Sequence, residues 1–273
     1  YRRIRNTFRF ILGNLSDFSD KYKISLEEQV ELDKWIINET KILQTEVLKL
    51  YKSYSYHRAI QKIHNFCVNE LGGIYLDIVK DRLYTCKNDS SARRSCQTSL
   101  DFILNVLVRL IAPILSYTSE EIWQTSNRLN GQEESVFLSN FDISDIDFKS
   151  NINQSEWKRV FEIKDDDNQS IEEMRNENKI KGSLDSVVDI QADSSDINIL
   201  RKLGKELHFL FISSEANISE GKSFKIKVSP SKNTKCVRCW HRCSSVGSSK
   251  EHPELCNRCI DNIENDGEQR KSI

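Results

Sequence analysis

The chain has 273 residues, more than one folding unit usually holds, and its 40 Lys+Arg against 41 Asp+Glu leave a formal net charge of -1. That balance excludes a uniformly basic, nucleic-acid-coating protein, so any polyanion site has to be a local patch. The longest apolar-rich run, Phe102 to Tyr117, is interrupted by Asn105, Arg109 and Pro113 and is shorter than the ~20 residues of a membrane span.

Helical periodicity governs the first half. Ile4, Phe8, Ile11, Leu12 and Leu15 predict a helix from the first residue, stopping in polar residues near Ser16 to Asp20. Ser25 with Glu28 three residues on reads as a capping box, opening a second helix whose stripe of Leu32, Trp35, Ile36, Leu43, Val47, Leu50 and Tyr51 runs to about Tyr54. A third stripe, Ile60 to Val79, contains Gly72-Gly73, where a bend is expected. KNDSSARRS makes a polar break before a fourth helix from Cys96 to about Ile111. Thr118 and Glu121 then form a second capping box, opening a helix that carries Ile122, Trp123 and Leu129. These elements predict a helical bundle over residues 1–130.

Residues 131–154 lose the helical period and read as a linker. Residues 155–229 predict a small α/β module. A helix through Trp157, Val160 and Phe161 continues across DDDNQ to Ile180 and ends at Gly182, with strands at Leu184 to Ala192 and Leu207 to Ser213 around a helix from Ile197 to Lys205. FKIKV alternates as a third strand, with Phe224, Ile226 and Val228 on one face. Residues 230–273 have too little apolar content to fold unaided.

That tail holds five of the eight cysteines. Cys236-x-x-Cys239 and Cys256-x-x-Cys259 have the spacing of a closed four-thiolate zinc site, in which each pair points two sulfurs at one ion and no position is left for water or substrate. A structural zinc that supplies folding free energy is expected, with two disulfides or a metal-free redox pair as the alternative and Cys243 and His241 as spare donors. Clustered thiols also fit a reducing, cytoplasmic compartment. Around the sulfurs stand Lys232, Lys235, Arg238, Arg242, Lys250 and Arg258 against Glu251 and Glu254. With Trp240 and His241 interleaved, this is a candidate RNA contact; for Trp240 the competing expectation is packing over the metal site. Arg2, Arg5 and Arg9 share a face of the first helix and form a second candidate phosphate-binding patch. No phosphate loop, nucleophile elbow or His-Glu-x-x-His helix is present, and the isolated histidines and paired acids have structural explanations. No catalytic residue is expected.

YRRIRNTFRFILGNL, YLDIVKDRLYT, LVRLIAPILSYTSEEIW and KIKGSLDSVVDI, followed by KCVRCWH and HPELCNRC, resemble in this order the C-terminal part of bacterial-type isoleucyl-tRNA synthetases along nearly the whole chain. The resemblance implies a mainly α fold: an anticodon-binding helical bundle, a small α/β junction module and a C-terminal zinc-binding peptide. It also implies that ATP, magnesium and the catalytic and editing domains belong upstream, and the absence of an initiator methionine agrees with such a piece. This part would bind the anticodon stem and loop of isoleucine tRNA, as part of a monomer. The family motif carries Cys236, Cys239, Cys256 and Cys259 over as zinc ligands, and Arg238, Trp240, His241, Arg258, Arg2, Arg5 and Arg9 are the expected tRNA contacts. A stand-alone zinc-ribbon RNA-binding or interaction protein, and a valyl, leucyl or methionyl sibling, are the competing readings.

Overall fold

The structure, a computed structural model, describes residues 1–126, 133–141 and 148–273. Leu129 and the centre of the expected linker lie outside the described residues. The chain divides into two compact units, Tyr1–Lys80 with Arg93–Lys149, and Asp81–Ala92 with Ser150–Ile273.

The first unit is helical. Helix α1 (Arg2–Asn14) buries Ile4, Phe8 and Ile11 at the predicted spacing, and α2 (Glu31–Lys52) buries Leu32, Ile36, Leu43 and Val47. Helix α2 starts later than expected, at Glu31 rather than after Ser25. The Ser25 hydroxyl donates to the Glu28 carboxylate instead of capping backbone amides, and residues 26–28 form only a short 3-10 turn.

Helix α3 (Tyr56–Phe66) passes without a break through a π-helical stretch, Cys67–Tyr75, into α4 (Leu76–Thr85). The bend expected at Gly72-Gly73 is this widened turn. A Cβ on Gly72 would meet the Cys67 carbonyl oxygen at 3.0 Å, and one on Gly73 the Val68 oxygen at 3.3 Å. Residues without a side chain therefore suit a turn in which the i−5 carbonyl lies close.

Helix α5 (Ser91–Ile111) begins five residues before the predicted start, because part of the polar KNDSSARRS stretch is helical. Within the first unit, Arg93 donates to the Asp17 carboxylate at 2.6 and 3.1 Å, and Arg94 to the Asp17 backbone oxygen and the Gln97 side chain. Charges that read as a break are thus partnered and buried. Deeper in the core, Asp33 is fully buried and accepts hydrogen bonds from the Tyr75 and Ser95 hydroxyls. A satisfied buried carboxylate of this kind fixes which faces of α2, the end of the π-helical stretch and α5 meet. Helix α6 (Ser116–Thr125) begins before Thr118, so the second predicted capping box lies inside the helix, with Leu115 at the cap; Glu121 accepts a bidentate pair from Arg5 instead.

The second unit is an α/β layer. Helix α7 (Gln154–Asn176) opens with a reciprocal capping box between Asn153 and Glu156 and runs unbroken through DDDNQ. It stops at Asn178, whose φ of +58° makes it a left-handed terminator, and not at Gly182. Strand β1 (Ser186–Ala192) is followed by α8 (Ser194–Arg201), α9 (Leu207–Leu210), β2 (Glu215–Glu220) and β3 (Lys225–Pro230). The sheet order is β2-β1-β3, with β1 parallel to β2 and antiparallel to β3; Ile190 stands level with Ile218 and Ile226. Leu207 to Ser213 is therefore a helical turn and not the predicted strand. Leu207, Leu210 and Phe211 are buried at i, i+3, i+4 spacing, and a short apolar run of this length cannot be assigned by periodicity alone. The true second strand, EANISE, is a polar edge that gives no apolar signal.

Helix α7 covers this sheet through Trp157, Val160 and Ile163, all buried. It also buries Asp167, whose two carboxylate oxygens have no hydrogen-bond partner. Burial pushes this carboxyl up to about 7 despite the opposing pull of Lys164. The chain ends with α10 (Asn257–Glu264) and the segment after it.

Candidate metal centre and its surround

The two Cys-x-x-Cys pairs reach one point from two directions. The first is a tight knuckle: the Cys236 amide donates to the His241 carbonyl at 2.9 Å, the Trp240 amide returns to the Cys236 carbonyl, and Lys235 bridges Arg242 in a short antiparallel contact. Trp240 takes a φ of +67° to close the turn. The second pair sits at the start of α10, where Cys256 is the N-cap and Cys259 lies in the first turn. The positive end of a helix and the backbone amide of Cys256, which donates to the Cys236 sulfur at 3.4 Å, both favour thiolates.

All four sulfurs are buried and lie within 4.8 Å of one another, with Cys239 and Cys256 3.7 Å apart. A tetrahedron with metal–sulfur bonds of about 2.3 Å has edges of about 3.8 Å, so the donor set fits zinc. None of the eight cysteines is in a disulfide. His241 is not a ligand. Its ring is buried against Phe209 and His208, and its Nδ1 donates to the Cys239 carbonyl at 3.3 Å. Burial lowers its pKa, leaving a neutral imidazole. Cys243 packs beside the cluster without joining it.

Apolar burial contributes little here; charge holds the centre in place. Within the second unit, Arg258 of α10 donates to both oxygens of Asp81 at 2.7 and 2.8 Å, and Arg270 to the same carboxylate at 2.7 Å. Glu268 accepts from both arginines, and both guanidiniums lie over the Phe209 ring, Arg270 at 3.3 Å from its centre. Burial by itself would raise Asp81, but the two arginines hold its carboxyl far below the usual range. The last three amides, of Lys271, Ser272 and Ile273, all donate to the Glu206 carboxylate at 2.8–2.9 Å. Arg238 donates to the Thr85 carbonyl at 2.6 Å, and Arg242 to Asp185 at 2.7 Å.

The residues singled out in the sequence therefore separate into groups. The four cysteines come together. Trp240 does not pack over the metal site, as one expectation had it; it is 61% exposed, with the Lys235 ammonium 5.6 Å from its ring centre. Lys232, Lys235 and Lys250 are also exposed. The side chains of Arg258 and His241 face inward, and Arg238 is half-buried. On α1, Arg2 and Arg9 are exposed, whereas Arg5 is paired with Glu121. Asp81, Glu206, Glu268 and Arg270 went unnoticed in the sequence. Each reads there as an ordinary surface charge, and only their convergence distinguishes them.

Comparison with known proteins adds two family matches. Residues 33–191 match the anticodon-binding domain of tRNA ligase, and residues 234–262 match the zinc finger found in FPG and IleRS. The chain is similar to the isoleucine-tRNA ligase of Pectobacterium atrosepticum, 40% identical over 289 residues covering 100% of this chain and 30% of that protein. The isoleucine-tRNA ligase of Legionella pneumophila (strain Paris) is 42% identical over 286 residues, again with 100% of this chain and 30% of the relative covered. That of Shewanella sp. (strain ANA-3) is 40% identical over 286 residues. The chain thus spans about 30% of the length of the curated relatives it matches.

Proposed function

Because the chain belongs to the family of tRNA-ligase anticodon-binding domains, we propose that it grips the anticodon stem and loop of isoleucine tRNA for a larger isoleucine-tRNA ligase. Isoleucine activation with ATP and magnesium, transfer to tRNA and editing belong to the remainder of that enzyme, and this chain alone is inactive. The whole acts in the cytoplasm as a monomer. Among the described residues no helix is long and apolar enough to cross a membrane.

The observation that carries the reading is Trp240. A large aromatic that a metal-fixed turn holds 61% exposed beside a lysine is poor core material and a good stacking surface for an unpaired base. Lys232, Lys235 and Lys250 supply phosphate attraction around it, and Arg2 and Arg9 offer a second basic face on α1. His241, Arg238 and Arg258 contribute mainly by holding the Trp240 turn, since their polar groups are engaged within the protein. Zinc, when bound, supplies the rigidity of the turn; Cys236, Cys239, Cys256 and Cys259 would hold it.

Titrating isoleucine and valine tRNA transcripts against the zinc-loaded chain at a stated salt concentration tests the reading. Tighter binding of the isoleucine tRNA is expected, and Trp240→Ala should cost about 1–3 kcal/mol of it without loss of zinc. Equal binding of both tRNAs, untouched by Trp240→Ala, would overturn it.

A further inference from the structure

Cys243 is the one cysteine of the carboxy-terminal five that has no place in the four-sulfur shell. It is not remote from that shell. Its side chain packs against the cluster, and it lines the same cavity as Cys256. The contact is built and not incidental. The Cys243 amide donates to the Thr234 carbonyl, the Val246 amide to the Cys243 carbonyl, and the Asn257 amide to the Ser245 hydroxyl at 3.2 Å. Ser248 donates to the Asn257 side chain at 2.9 Å. The segment carrying Cys243 is therefore tied directly to the start of α10, which carries Cys256.

Access distinguishes Cys243 from the cluster thiols. The four cluster cysteines are buried, whereas Cys243 is half-buried. Both Cys243 and Cys256 line a cavity of about 330 Å³ that His208, His241 and Lys205 also border, wide enough to admit small solutes. Cys67, Cys86 and Cys96 are buried in the protein, away from the cavity, and burial raises the thiols of Cys67 and Cys86.

We propose that Cys243 is the resolving thiol of an oxidation-sensitive metal site, so that hydrogen peroxide converts Cys243 and Cys256 into a disulfide and releases the metal reversibly. In the first step the Cys256 thiolate attacks peroxide: a sulfur–oxygen bond forms, the oxygen–oxygen bond breaks, and hydroxide leaves. Cys256 becomes a sulfenic acid and no longer donates to the metal. The Cys243 thiol then attacks that sulfur. A sulfur–sulfur bond forms, the sulfur–oxygen bond breaks, and the departing hydroxide takes the thiol proton as water. Two thiol sulfurs are oxidised by two electrons in total, and one peroxide is reduced to two waters once the hydroxide of the first step is protonated by solvent. Three thiolates remain, an incomplete shell that holds the metal more weakly. Because the disulfide forms before sulfinic acid can, a thiol reductant restores the site.

The test uses the full-length, zinc-loaded protein treated with equimolar hydrogen peroxide in the presence of a chromogenic zinc chelator, followed by peptide mapping without reduction. One zinc per chain is expected to be released, with a Cys243–Cys256 linked peptide, and reductant plus zinc should restore nearly all of the metal. In Cys243→Ser and Cys243→Ala, both loading one zinc before treatment, release should persist. Recovery should fall at least about fivefold, as Cys256 passes on to sulfinic acid. A map in which Cys243 remains a free thiol after release, or equal recovery in the native protein and both variants, would overturn the proposal.

Discussion

The helical unit and the metal-binding tail are held together by different forces. In the first, residues such as Phe8, Leu32, Ile36, Ile63 and Leu107 are removed from water along regular stripes, so each element contributes to a shared core. In the tail from Pro230 onward, the buried apolar residues are the cysteines themselves and Ile273, and what replaces a core is four convergent cysteine sulfurs, the Asp81–Arg258–Arg270–Glu268 cluster and the Glu206 clasp on the last amides. Stripe burial is spread over many side chains and loses little when one is trimmed. A charge-and-metal anchor is concentrated and fails when one member is removed.

The contrast can be broken most severely at the metal. Cys256→Ser, or chelation of zinc, should remove on the order of 10 kcal/mol of folding free energy from the tail and unfold it, while far-UV circular dichroism stays close to native because the signal comes mainly from the first unit. Joint loss of the bundle signal would show that the two regions are not independently held. Asp81→Asn should be next, costing about 3–5 kcal/mol because it leaves Arg258 and Arg270 buried beside an uncharged partner; amide exchange of residues 256–273 should accelerate even with zinc present.

Asp167 offers a sharper test, because it is a buried carboxyl whose two oxygens accept no hydrogen bond. Its carboxyl is raised from 3.8 to about 7, so the folded state binds a proton that the unfolded state has lost. Stability should be greatest below about pH 4 with respect to this group and should fall as pH rises to about 7, by up to about 4 kcal/mol. Asp167→Asn should therefore raise the melting temperature of the second unit at pH 8 and leave it nearly unchanged at pH 4; an equal shift at both would exclude ionisation as the cause. The smallest effect is expected at Ile36→Val in the bundle, about 1 kcal/mol with zinc content unaltered.

The readings that held were those with a repeating or countable signal. Ile4, Phe8 and Ile11, or the alternation of FKIKV, announce a face, and two Cys-x-x-Cys pairs announce a tetrahedron. Those that failed were local signals overridden by distant partners. Ser25 and Glu28 satisfied each other and left α2 to start at Glu31, while Arg93 and Arg94 found Asp17 and turned a polar break into helix. The apolar run from Leu207 to Ser213 could be strand or helix, and packing of Leu207, Leu210 and Phe211 decided it.

By itself the sequence determined the helical stripes, the two Cys-x-x-Cys pairs that converge and the family, because each rests on residue types at fixed spacings along one chain. Only the tertiary structure decided that Asp81 meets Arg258 and Arg270, that Glu206 holds the last three amides and that Trp240 stands in solvent instead of over the metal. Those partners are separated by 65 to 189 positions. Ion pairs and clasps of that range depend on where the folded chain brings charge together, which no local spacing encodes.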